Sequence, residues 1–311
     1  MRAFQIHRGL RQDGVCGPES WGALVEAGRV LGERLLYYRN RMVRGDDVAT
    51  LQRLLGSLGF DAGRVDGIFG PRCHAALSDF QRNAGLIVDG ICGPETLKVL
   101  LRVSSRAADG SVVADVRERY QLLSGSRTLR DRRIVIGETG GAGALADGAR
   151  RVLTRVGAQA RTLHDPDESS QAAQANALAG EVYLGLRLVA EVSGCRTAYF
   201  MGYAGVSSAS GQRLAETIQS YVPAALGLPD LGSHGMRLPV LRETRMPAVV
   251  VELGPASVVV ERGARVAAAL GDALAQWVSE PCDDVAAEGQ RDYPHPHAQV
   301  VDEGVEPHLD R

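Results

Sequence analysis

A gapless internal duplication constrains this chain more than any other feature. Phe4-Gln5, Gly9-Leu10, Asp13-Gly14, Cys16-Gly17-Pro18-Glu19 and Leu24 recur as Phe80-Gln81, Gly85-Leu86, Asp89-Gly90, Cys92-Gly93-Pro94-Glu95 and Leu100, at a constant offset of 76 residues. Chance does not produce such a series, so the N-terminal part is built from copies of one small unit. The second copy has a front half, 48–59, in which Leu51, Leu54, Leu55 and Leu58 fall at i, i+3, i+4 and i+7 and predict a helix. Asp66-Gly67-Ile68-Phe69-Gly70-Pro71 and Asp89-Gly90-Ile91-Cys92-Gly93-Pro94 predict two turns, each feeding a helix. Glycine permits positive φ there, and proline suits a first helical turn. The first copy lacks its front half. Half of a helical bundle leaves an apolar face unburied, so Met1 reads as a mis-assigned start inside a longer protein. Cys16 and Cys92 occupy matching places, which predicts a small buried residue at both.

Length and composition narrow the class. A chain of 311 residues with 45% hydrophobic content has room for about two domains. A net charge of −2 gives no general case for nucleic acid or an acidic membrane as partner. Basic charge is nearly all arginine, with Lys98 the only lysine, which reads as compositional bias. The cysteines at 16, 73, 92, 195 and 282 form no C-x-x-C pair, so neither a zinc ribbon nor a redox motif is indicated. No signal-peptide core is visible in the opening residues, and no run reaches the ~18 apolar residues of a membrane span. The expectation for the chain as given is a cytoplasmic protein.

From residue 131 the pattern changes. Arg132–Ile136 reads as a strand, 137–143 as a glycine-rich loop and Ala144–Val156 as a helix. Strands are expected at Ala160–Leu163, Glu181–Leu186, Thr197–Gly202 and Ala248–Glu252, and helices at Ala172–Leu178, Gly211–Ala225 and Val258–Val278. Strands alternating with helices predict a three-layer α/β domain over 131–279. Residues 103–130 read as a linker, and the Pro-rich acidic stretch 280–311, which holds His295 and His297, as a disordered tail. Gly141-x-Gly143-x-x-Ala146, with Asp165 about 20 residues on, matches a dinucleotide fingerprint. A dinucleotide-binding enzyme is therefore the remote alternative. In a milder form Gly141 and Gly143 make an anion-binding loop at a helix N-terminus.

The Leu-Gln, Asp-Gly-x-x-Gly-Pro and Phe-Gln-x-x-x-Gly-Leu pieces of 47–102 resemble the peptidoglycan-binding repeat found beside many wall hydrolases, with 1–27 as a partial copy. That resemblance implies a small all-α bundle. Residues 131–279 resemble the zinc N-acetylmuramoyl-L-alanine amidase domain. The likeness is carried by Ala175-Asn176 before Val182–Arg187, and by Leu241-Arg242-x-Thr244-x-x-Pro247-Ala248 running into Val251-Glu252-x-Gly254. With the two repeats ahead of this domain, and Gly45–Gln52 joining those repeats, the whole resembles the CwlM-type amidase-like proteins. The implied fold is one or more small all-α repeats followed by a three-layer α/β amidase-like domain. The implied activity of the family is zinc-dependent cleavage between glycan and peptide.

The residues of this chain depart from that chemistry. A catalytic zinc takes three protein ligands and leaves one place for water. By the resemblance, a first histidine belongs in the loop after the opening strand, where Gly140 stands, and a second ends the third strand, where Arg187 stands. The expected glutamate ligand has no clear match in Ala144–Asp147. Only the general-base position, Glu252, is kept. A guanidinium stays protonated and offers no lone pair, so Gly140 and Arg187 mark degenerate metal positions and no metal or other cofactor is expected. Arg187 is expected to fill the vacated space and pair with Glu252. His164 and His234 read as loop histidines away from any ligand position. The leading expectation is a binding or regulatory protein that recognises a peptidoglycan fragment or precursor, or a wall-synthesis protein. The alternative is an active amidase.

Overall fold

The computed structural model describes residues 1–104, 127–139, 141–202 and 206–280. The N-terminal part is helical: α1 (Arg2–His7), α2 (Pro18–Ala27), α3 (Asp46–Ser57), α4 (Pro71–Asn83) and α5 (Pro94–Ser104). The second copy closes around one core. Leu51 and Leu55 of α3, Leu77 and Phe80 of α4, Cys92 and Leu100 are all buried there, together with Leu36 and Val43 from the preceding segment. Each fully buried side chain of this size contributes roughly 1.5–3 kcal/mol relative to exposure.

A side-chain clasp explains why Asp-Gly recurs. Gln81, buried on α4, donates to Asp89 Oδ1 (2.7 Å) and to the Ile91 carbonyl (3.1 Å), and accepts from the Gly90 N–H (2.9 Å). Asp89 Oδ1 also accepts from the Ile91 N–H. Gln5 holds Asp13, Val15 and Gly14 in the same way. Gln52 does so for Asp66, Ile68 and Gly67. The three glycines sit at φ of 81, 73 and 66° for Gly14, Gly67 and Gly90, a region that L side chains avoid. The repeat therefore satisfies its turn with one buried amide three times over.

The remaining elements build the α/β domain: β1 (Arg133–Glu138), α6 (Gly143–Arg155), β2 (Gln159–His164), α7 (Glu168–Ala177), β3 (Val182–Leu188), β4 (Gly194–Phe200), α8 (Ala209–Leu226), β5 (Asp230–Met236), α9 (Pro239–Glu243), β6 (Ala248–Gly254) and α10 (Ala256–Ser279). The six strands run in the order β2-β1-β3-β6-β4-β5. Only the β4–β6 pairing is antiparallel. One face carries α6, α8 and α10, whose Leu145, Leu214 and Leu270 pack on Ile134, Leu184 and Val249. The other carries α7 and α9, whose Ala172 and Leu241 pack on Val135, Tyr183 and Val250. With both faces covered, a central strand is buried on both sides, and β6 is buried along its whole length, Glu252 included. The expected three-layer architecture is present. Among the described residues no helix is long and apolar enough to cross a membrane.

Three local expectations are corrected. A strand not foreseen, β5, contains His234, so this histidine is not in a loop. Its polar, glycine-containing sequence, Asp-Leu-Gly-Ser-His-Gly-Met, hides the strand because β5 is an edge paired on one side to β4. His164 closes β2 and is not a free loop residue. Cys92 is buried but Cys16 is exposed, because among the described residues no segment covers the first copy as α3 and Leu36 cover the second. Gly140, most of the expected linker and nearly all of the expected tail lie outside the described residues.

The half-repeat and the full repeat both dock on the α/β domain through arginines. Glu26 of α2 pairs with Arg237 (3.2 Å) and Arg242 (3.0 Å). Arg242 Nε also donates to the Asp66 carbonyl (2.6 Å). Arg8 grips Asp46 with both terminal nitrogens. The Arg237 N–H donates to the Gly9 carbonyl (2.7 Å). Burial, reinforced by neighbouring Arg242, pulls the Arg237 guanidinium down to about 10, and Glu26 and Asp46 oppose the shift.

Candidate functional site

The site lies where β3 and β6 end, the edge at which open α/β sheets hold ligands. Strand alternation decides what faces it. Arg187 shares a face with Tyr183, and Glu252 with Val250, because residues two apart point the same way. The register then makes Arg187 on β3 and Arg196 on β4 the two cross-strand neighbours of Glu252.

These three side chains meet. Arg187 Nη1 lies 3.2 Å from Glu252 Oε1. Arg196 takes the other oxygen, through Nε at 2.9 Å and through Nη2. A fourth group completes an alternating row: Arg187 Nη2 pairs with Glu168 Oε1. Glu168 opens α7, whose N-cap Asp167 accepts from the Ser169 N–H, and a carboxylate suits that end of the helix dipole. Buried Gln171 fixes α7 against β1, donating to the Glu138 carbonyl (2.8 Å) and accepting from the Tyr183 hydroxyl (2.5 Å). A Cβ at Gly137 would collide with both Gln171 and Tyr183, so only glycine allows this approach. Glu252 is 5% exposed and Arg187 13%, so the pair is strongly coupled, as desolvated charges are. Burial pulls the Arg187 guanidinium below its usual range, and Glu252 opposes that shift. The charges of Arg11 and Glu19 in the half-repeat act on Arg187 with opposite sign.

Sequence reasoning singled out Arg187 and Glu252 but missed Glu168 and Arg196. The signal for Glu168 was the Asp-Pro-Asp-Glu-Ser helix start. For Arg196 it was alternation with Ala198 and Phe200, which are buried on the same face. Gly141 has φ of 84° and Gly143 opens α6. That helix start already has an anion beside it. A Cβ at Gly143 would lie 4.0 Å from Glu138 Oε1, and Glu138 Oε1 is 2.9 Å from His164 Nδ1. His164 thus belongs to this second dyad.

The fit to zinc can be tested on the donors themselves. Both oxygens of Glu252 and one of Glu168 are engaged by guanidinium groups. Among the described residues no group of three or more His, Cys, Asp or Glu side chains is arranged to hold a metal ion. The donor set does not fit a catalytic zinc, which needs lone pairs from three deprotonated or neutral ligands.

Comparison with known proteins follows the same division. Residues 44–100 match the family described as "Putative peptidoglycan binding domain". The N-acetylmuramoyl-L-alanine amidase CwlM of Mycobacterium tuberculosis is 37% identical over 94% of this chain and 79% of its own length. The chain belongs to the CwlM-type N-acetylmuramoyl-L-alanine amidase family. Other similarities of this CwlM-type chain are shorter. The spore cortex-lytic enzyme of Bacillus cereus is 42% identical over 64 residues, 21% of this chain and 25% of that enzyme. The amidase Ami1 of Mycobacterium smegmatis is similar over 49% of this chain and 98% of its own, with 15% identity and a TM-score of 0.42. The catalytic domain of CwlV from Bacillus (Paenibacillus) polymyxa var. colistinus covers 47% of this chain and 98% of its own, with 18% identity and a TM-score of 0.39.

Proposed function

We propose that this CwlM-type chain is a catalytically silent amidase that recognises a peptidoglycan fragment or precursor and acts by binding. One observation carries the reading: Glu252, the carboxylate at the general-base position, has both oxygens held by Arg187 and Arg196. A general base must present a free lone pair to the water it activates. Here the fixed cation of Arg187 stabilises a buried carboxylate without activating water. A groove of about 510 Å³ between the full repeat and the α/β domain supports a binding role. Tyr38, Met42, Arg64, Arg72, Asn176 and Arg245 are among its walls, a mixture of ring, thioether and cation suited to a peptide bearing carboxylates. A cytoplasmic precursor, or an enzyme that makes it, is the partner class this reading favours.

The name of its CwlM relative supports the second reading, an active amidase. Incubation of untagged protein with purified muropeptides and added zinc separates the two. The silent reading expects saturable binding by calorimetry, weakened by Arg245→Glu, and no release of peptide from the glycan. Peptide release that disappears in Glu252→Ala establishes the enzyme and removes the silent reading.

A further inference from the structure

The groove between the full repeat and the α/β domain has one ion pair in its wall. Arg44 Nη1 lies 2.7 Å from Glu243 Oε1, with the two side chains 38% and 16% exposed. A smaller cavity of about 180 Å³ lies beside the half-repeat, and among the described residues the two spaces share only Arg44 and Glu243. The pair therefore stands at their junction. Local structure holds it there. Asn176 of α7 donates to the Glu243 carbonyl (2.9 Å) and accepts from the Arg245 N–H (2.9 Å). Ser169 donates to Glu243 Oε1 (3.2 Å). On the repeat side, Arg34 donates to the Arg44 carbonyl (2.7 Å), and the Arg44 main chain pairs with Ile68.

The pair keeps bonding capacity to spare. Glu243 Oε1 is used twice, but Oε2 has no partner among the described residues. Arg44 uses Nη1 alone, which leaves Nη2 and Nε able to donate. Exposed Arg245 lines the same groove and makes no ion pair among the described residues. A ligand entering here meets one carboxylate oxygen and two guanidiniums. A group with only a carboxylate gains the arginines but faces Glu243 as a like charge. A group with only an ammonium gains Glu243 but faces both arginines. Like charges brought together in this way are what excludes a wrong partner. A group with an ammonium and a carboxylate on one carbon satisfies every member. Its two charges are held about as close together as those of Arg44 and Glu243, so the four charges can alternate around a ring.

We infer that the Arg44–Glu243 pair selects, among peptidoglycan peptides, those with a side chain that ends in a free amino-acid head group. The inference rests on the reading that this groove holds such a peptide. The carboxylate of the head group accepts from Arg44 and Arg245, and its ammonium donates to Glu243 Oε2. Charge-assisted hydrogen bonds are roughly twice as strong as neutral ones. Solvent screens them at a half-exposed residue such as Arg44. The pair therefore sets the choice of peptide more than the total affinity.

The test is calorimetric titration of the full chain at low salt with synthetic muramyl tripeptides of three kinds. One ends in diaminopimelate, which carries the free head group. Another ends in lysine, which keeps the distal ammonium and lacks the distal carboxylate. The last is the diaminopimelate peptide acetylated on its distal nitrogen. The first should bind at least about tenfold more tightly than either of the others, a difference of about 1.4 kcal/mol. Free alanine, the head group without the peptide, should not displace it at equal concentration. In the double variant Arg44→Gln, Glu243→Gln the three peptides should bind alike, with an unchanged circular dichroism spectrum. Should that variant unfold, the wild-type series alone decides. Equal binding of the three peptides to wild type overturns the inference and leaves the silent-binder reading standing. Discrimination that persists in a folded double variant overturns it too, as does displacement by equimolar alanine. Saturation by none of the peptides removes the inference and the reading together.

Discussion

Arg187 and Glu252 are register neighbours on β3 and β6, and their side chains close to 3.2 Å at the edge of the sheet. A buried ion pair adds little net stability over an apolar pair, but removing one member strands the other. Arg187→Met removes one of the two guanidiniums on Glu252 and the partner of Glu168, so it should destabilise the α/β domain in urea unfolding, by less than the about 3–5 kcal/mol of a fully stranded buried charge. The double variant Arg187→Met, Glu252→Gln should recover a large part of that loss. Additive losses would mean that the two side chains are not coupled.

The Gln clasps make a separate prediction. Gln81→Leu removes the partner of Asp89, Ile91 and Gly90 at once. Leaving buried polar groups unpaired costs about 1–3 kcal/mol. Thermal unfolding should show a lower Tm, and Gln52→Leu should do the same through Asp66 and Gly67. An unchanged Tm in both would show that the clasps are incidental.

Acid should weaken the turns unequally. The Ile91 N–H and Gln81 hold the Asp89 carboxyl below its usual range, and Val15 and Gln5 do the same for Asp13. A folded value below the unfolded one means stability that is present above about 3.8 and is lost as pH falls through the folded value. Asp66 has the opposite sign. Burial raises it, so its protonation favours the folded state as pH falls. Asp89→Asn should flatten the acid limb of a stability profile between pH 4 and pH 2, whereas Asp66→Asn should not. Identical acid limbs for Asp89→Asn and wild type would contradict this.

The half-repeat should be held by charge. Glu26 bridges Arg237 and Arg242, so Glu26→Ala leaves buried Arg242 without its carboxylate and Arg237 with Asp46 alone, at 4.0 Å. Limited proteolysis should then cut the segment between α2 and α3 faster, with the α/β domain still intact. Equal cleavage rates would show that Gly9 and Arg8 suffice to dock it.

Much of this was legible in the sequence, for physical reasons that differ by element. The duplication exposed the repeat because Asp-Gly turns, Gly-Pro helix starts and the leucine spacing of α3 are local signals. β6 was legible as an unbroken β-branched run, and that placed Glu252. β5 was not, since an edge strand can be polar and glycine-containing. Cys16 misled because matching sequence implies matching burial only where the covering segment is also repeated. Arg187 was readable as a substitution, but its second partner, Glu168, and the second partner of Glu252, Arg196, depend on sheet order. No single segment encodes that β6 sits between β3 and β4.

The central claim is that guanidinium groups, and not a metal, neutralise Glu252. Elemental analysis of untagged protein after equilibrium dialysis against micromolar zinc tests it most directly. The account predicts far less than one zinc per chain, unchanged in Glu252→Ala. One tightly held zinc per chain, lost in Glu252→Ala, would contradict it.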